Sequence, residues 1–203
     1  MFIGIDFDNT IVCYDALFHR LALERGLIES PVPINKTAVR DALRAAGREA
    51  DWTELQGIAY GPRIVDAIPF PGAKDFLQAC RSSGIKTAVI SHKTKHPYLG
   101  EPHDLHAAAY AFLRHHGFLD ALLSNSDVYL ELTKEAKLAR IASLGCDVFI
   151  DDLPELLLEA TFPAKPKRIL FDPAGMSAID ARYTRAESWN AVAKLILGKD
   201  VAR

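Results

Sequence analysis

Two aspartates one residue apart, Asp6 and Asp8, close the short apolar run Phe2-Ile3-Gly4-Ile5 and are followed by Asn9 and Thr10. Carboxylates held so close repel each other unless a cation neutralises them or one keeps its proton. Oxygen ligands of this kind suit a hard divalent ion, Mg2+ above all. Three more polar positions end or open apolar stretches further along: Ser91 after Thr87-Ala88-Val89-Ile90, Asp151-Asp152 after Val148-Phe149-Ile150, and Lys134 at the start of a helical pattern. A hydroxyl, a cation and clustered carboxylates are what phosphoryl transfer needs, because its catalysis is mainly positioning and neutralisation of phosphate charge.

These residues need a scaffold that gathers strand ends. Short apolar runs bounded by turn signals read as buried strands, here Phe2–Ile5, Ile85–Ile90, Leu119–Ser124, Val148–Ile150 and Arg168–Phe171. Helical spacing separates most of them: Phe76, Leu77 and Cys80 before Gly84, Asp104 to Gly117, Thr133 to Gly145 with Leu138, Ile141 and Leu144, and Ser188 to Leu197. This alternation predicts an α/β fold, a Rossmann-like three-layer sandwich around a central, mostly parallel sheet. Such sheets bind ligands beyond the C-terminal ends of their strands, where the polar residues stand. Between the first strand and Pro69 the pattern is helical throughout, in stretches around Leu17 and Leu21, Val39 and Leu43, and Leu55 and Ile58. The expected organisation is thus a core of residues 1–12 and 70–203, with a small helical insert over 13–69.

Composition narrows the function classes. With 203 residues, 49% of them apolar, the chain is long enough for one core and a small insert. A formal net charge of −2 supplies no basic field for nucleic acid, and the cluster Lys165-Pro166-Lys167-Arg168 reads as a solvated loop. Cys13, Cys80 and Cys146 show no paired spacing and sit in apolar surroundings, which points to reduced core thiols. No apolar run approaches membrane length and no signal core opens the chain, so the expected compartment is the cytoplasm, without a membrane partner. His92, His96, His103 and His106 match no zinc module and read as loop histidines, with His92 and Lys93 nearest the candidate site.

Asp6-Phe7-Asp8-Asn9-Thr10 resembles the first signature, D-x-D-x-[TV], of the haloacid dehalogenase-like phosphohydrolases. Ser91 after its apolar strand resembles the second signature, Lys134 the third, and Phe149-Ile150-Asp151-Asp152 the fourth, all in the family's order. The resemblance implies a nucleophile at Asp6 and a general acid and base at Asp8. It implies phosphate contacts from Ser91, Lys134, Asn9 and His92, and Mg2+ held by Asp6, Asp8 through its carbonyl, Asp152 and Asp151. Asp152 is the expected direct ligand and Asp151 the more remote one. Lys134 is preferred to Lys137 because a lysine opening the helix would reach the phosphate without burying its stem. The insert falls where the family carries its first type of cap, a segment that closes over substrate. An aspartate at position 8 is absent from the family's dehalogenases, which work without metal, so its presence argues for phosphate esters. The implied activity is hydrolysis of a small phosphorylated metabolite, with a phosphomutase or a non-catalytic binding module on the same scaffold as alternatives.

Overall fold

The apolar run at the N-terminus becomes the strand around which the sheet is built in the computed structural model, which describes residues 1–201. The strands are β1 (Phe2–Ile5), β2 (Val12–Cys13), β3 (Ile68–Pro69), β4 (Lys86–His92), β5 (Val128–Glu131), β6 (Val148–Asp151), β7 (Lys167–Phe171) and β8 (Thr184–Ala186). The helices are α1 (Asp15–Glu24), α2 (Lys36–Ala45), α3 (Glu49–Tyr60), α4 (Ala73–Ser82), α5 (Leu105–His115), α6 (Lys134–Ser143), α7 (Pro154–Leu157) and α8 (Trp189–Leu197). Six strands pair in parallel in the order β5-β4-β1-β6-β7-β8, while β2 and β3 pair with each other. The order reverses at β1, so β1, β4 and β6 point their C-terminal ends at one crevice.

The chain divides into two compact units. The first holds residues 1–12, 69–93 and 117–201. Its sheet has helices on both faces. Ala88, Ile90, Phe149 and Leu170 pack with Leu138 and Ile141 of α6 and Leu156 and Leu157 of α7. On the other face Phe76 of α4 stacks on Trp189 of α8 with centroids 5.1 Å apart, and Trp189 meets Phe171 of β7 at 5.5 Å. The three-layer α/β architecture is therefore observed. Gly4 lets the central strands close up: a Cβ there would lie 2.7 Å from the Phe149 ring and 3.1 Å from the Cys146 sulfur. Side-chain caps start α6 and α8, Thr133 accepting from the Ala136 N–H and Ser188 from the Ala191 N–H, each at 3.1 Å.

The second unit comprises Cys13–Ile68 and also Thr94–His116, a stretch expected with the core. Within it α1, α2 and α3 bury Phe18 against Trp52 at 4.9 Å and Tyr14 against Tyr60 at 5.0 Å. The added segment is drawn in by close packing. A Cβ on Gly57 of α3 would come within 2.9 Å of Pro97, and Leu105, Ala109 and Phe112 of α5 are buried. A second departure concerns the strand expected at Leu119–Ser124. Asp120 there turns with φ +66°, and the edge strand instead forms from Val128-Tyr129-Leu130-Glu131, richer in β-favouring residues. Among the described residues no helix is long and apolar enough to cross a membrane.

Candidate active site

Strand register assembles the site. Gly4 lies beside Phe149 and Ile5 beside Ile150, and the Asp6 N–H donates to the Ile150 carbonyl at 2.9 Å, so the next residues on that face are Asp6 and Asp151. On the other side of β1 the pairing with β4 brings the Ser91 hydroxyl to Asp6 Oδ1 at 2.9 Å. Two residues further along both segments the pattern repeats, with Lys93 on Asp8. The segment then turns sharply. Asn9 adopts φ +56°, and the Phe7 carbonyl accepts from the N–H groups of Ile11 and Val12 at 3.0 and 3.1 Å. Asparagine tolerates this left-handed conformation better than most residues, which explains its presence at the turn.

The lysine at the centre is Lys137. Its Nζ donates to Asp6 Oδ1 and to Asp151 Oδ2, each at 2.6 Å, from a side chain only 3% exposed. Lys134, expected in this place, instead carries a side chain 44% exposed and pairs with Glu159. Helical side chains lean toward the N-terminus of their helix. A lysine in the first turn therefore projects past the strand ends, and the one a turn deeper leans back onto them. Its stem is buried rather than spared, and Nζ lies 5.5 Å from the centroid of the Phe149 ring. The sequence did hold this signal, since Lys137, Ile141 and Leu144 fall at i, i+4 and i+7 and share one stripe.

His92 also departs from expectation. It is exposed, with Nε2 3.2 Å from the Leu132 carbonyl, because alternate strand residues point to opposite sides. Its neighbour Lys93 is the buried one, 4% exposed, with Nζ 2.8 and 3.0 Å from the two Asp8 oxygens.

Carboxylate oxygens of Asp6, Asp151 and Asp152 lie within 4.8 Å of one another, the one His/Cys/Asp/Glu cluster of metal-binding geometry among the described residues. The loop histidines take no part in it. Asp151 is fully buried and accepts from Lys137 and from the Leu153 N–H at 2.9 Å, while Asp152 is only partly buried. Burial pushes the Asp151 carboxyl up to about 6; Lys137 counteracts the shift and the Asp6 charge adds to it. Burial works to lower the Lys137 ammonium, but Asp151 and Asp6 outweigh it and hold the group above its ordinary value. Four carboxylates, Asp6, Asp8, Asp151 and Asp152, thus face the two ammonium groups of Lys93 and Lys137. The hard oxygen donors and the excess of two negative charges fit a divalent cation such as Mg2+.

No protein-family model and no curated protein sequence matches the chain. Solved structures do, over nearly its whole length. A HAD family hydrolase from Deinococcus radiodurans R1, solved with bound phosphate and sodium, aligns with TM-score 0.61 at 15% identity, covering 97% of this chain and 94% of that one. A HAD phosphatase from Thermococcus onnurineus aligns with TM-score 0.54 at 16% identity, covering 98% and 99%. A dehalogenase aligns with TM-score 0.58 at 13% identity, covering 96% of each chain. The fold is that of the haloacid dehalogenase-like hydrolases.

Proposed function

We propose that the protein is a Mg2+-dependent phosphatase of small phosphomonoesters that carries the phosphoryl group on Asp6. The observation that supports this best is the Asp6 carboxylate itself. Ser91 and Lys137 both donate to its Oδ1, while Asp151 and Asp152 stand within 4.8 Å. A carboxylate held by two donors among other acids is oriented for attack.

Asp6, Asp151 and Asp152 would hold the cation, with the Asp8 carbonyl as a further oxygen donor. Bound there, Mg2+ would supply neutralisation of the phosphate charge that an anionic nucleophile must approach. The chain's own groups account for the rest. Asp8, a carboxylate beside Lys93 in the resting site, takes up a proton from solvent before the transfer. An Asp6 oxygen then forms a bond to phosphorus as the ester P–O bond breaks, and Asp8 gives that proton to the departing alkoxide. In the second half Asp8, now a carboxylate, takes a proton from water. The water oxygen bonds to phosphorus, the bond to Asp6 breaks, and phosphate leaves with the Asp6 carboxylate restored. Ser91 and Lys137 donate to oxygens whose charge changes during transfer.

The dehalogenase likeness covers the same fold, but Asp8 has a use in this scheme only where a leaving group needs a proton. The test is turnover of an aryl phosphate and of a 2-haloacid by the purified protein, each with Mg2+ and with a chelator. Phosphate release that the chelator stops is the expected result. Metal-independent halide release, or no turnover of any phosphomonoester in a panel, would contradict the proposal.

A further inference from the structure

Lys93 belongs to none of the four signatures, yet it is as buried as the groups that do. A lysine keeps its charge out of water only when paired, and this one stands with Nζ 2.8 Å from Asp8 Oδ2 and 3.0 Å from Oδ1. The pairing is asymmetric in exposure: the Lys93 side chain is 3% exposed and that of Asp8 23%. The lysine therefore approaches from inside the protein while the carboxylate keeps its open side. The lysine is also fixed at its base, for its N–H donates to the Glu131 carbonyl at 2.8 Å and so extends the β4–β5 pairing by one residue. Its Nζ further lies 5.5 Å from the centroid of the Phe7 ring.

We infer that Lys93 is a positioning residue for Asp8, an inference that rests on the phosphatase reading above. Two donors from one ammonium fix the plane of the Asp8 carboxylate. Each oxygen has a second lone-pair direction, so Asp8 can hold Lys93 and still meet a leaving group or a water. Just past Asp8 the chain leaves the strand and turns at Asn9. Proton transfer demands hydrogen-bond reach, and a displacement of about 1 Å costs on the order of 10²-fold. Lys93 acts on the reaction through Asp8, and so chiefly on substrates whose leaving group needs a proton.

The experiment compares wild type, Lys93→Met, Lys93→Arg, Asp8→Asn and the Lys93→Met/Asp8→Asn double variant on two esters. One is an alkyl phosphomonoester with a poor leaving group, the other an aryl phosphate with a good one. Lys93→Met is expected to lose about 10²-fold in kcat on the alkyl ester and less than about tenfold on the aryl ester. In the Asp8→Asn background it should lose nothing more on the alkyl ester, and Lys93→Arg should recover most of the kcat through its own two donors. Should Lys93→Met not fold, Lys93→Gln, a neutral side chain that keeps a donor, takes its place with the same expected split. Equal losses on the two esters, losses that multiply with those of Asp8→Asn, or a raised KM with kcat unchanged would each overturn the inference while leaving the phosphatase reading intact. A wild-type protein that turns over neither ester overturns both.

Discussion

Lys137 stands between two buried carboxylates, Asp6 and Asp151, that would otherwise face each other. Removing one partner of a buried ion pair leaves an uncompensated charge, so Lys137→Ala should cost about 3–5 kcal/mol of stability. Activity should fall by about 10²–10³-fold at the same time, the usual effect of losing one charge-stabilising donor. Lys134→Ala, which breaks only a solvated pair with Glu159, should leave kcat/KM and the unfolding midpoint near wild type. Chemical denaturation and steady-state kinetics on the two variants check this ranking. Asp151 adds a pH dependence whose sign is fixed by its environment. Its carboxyl titrates at about 6 in the folded protein against 3.8 for an ordinary aspartate, so between these values the folded state holds the proton longer. Stability from this group is therefore present below about pH 4 and is lost as pH rises toward 6. A divalent cation favours the ionised form, so Mg2+ should raise Tm more at pH 7 than at pH 5. Equal shifts at both values would contradict this. Most site residues were legible because each ends or follows an apolar run: Asp6, Ser91 and Asp151 are all buried where those runs stop. Lys137 and Lys93 were harder, since a buried lysine looks like any other lysine until the stripe or strand parity that contains it is counted.

The elements hold the site through register. Parallel pairing of β1 with β4 and β6 brings the ends of the three strands together, where Asp6 meets Ser91 and Asp151 and Asp8 meets Lys93. Gly4 is the tightest point in that arrangement. Gly4→Ala should push β1 away from Phe149 and cost about 1–3 kcal/mol, as overpacking in a dense core does. The denaturation midpoint measures it, and an unchanged midpoint would show that Phe149 yields freely. Strands β1, β4, β6 and β7 could be read from their apolar runs within a residue or two. Strands β5 and β8 could not, because β5 lies at the sheet edge, mixes Tyr129 and Glu131 with two apolar residues, and follows a leucine-rich turn whose ends Leu119 and Leu123 are buried. Only three residues make β8, too few for a periodic signal.

At the scale of the whole molecule, the helical character of residues 13–68 was plain from spacing, whereas the membership of Thr94–His116 was not. That segment follows Lys93 directly in the chain, and its place depends on contacts such as Pro97 against Gly57, which no local pattern announces. Fold and function also separate here, since a phosphatase and a dehalogenase share this architecture at low identity. In the proposed phosphatase Asp6 carries the phosphoryl group, and the most direct measurement addresses that step. Wild-type protein is quenched in acid during turnover of an aryl phosphate with Mg2+, and its peptides are mapped by mass spectrometry. A hydroxylamine-labile phosphoryl adduct is expected on the peptide containing Asp6, absent from an inactive Asp6→Asn variant. Sustained phosphate release with no adduct at Asp6, or with Asp6→Asn as active as wild type, would contradict it.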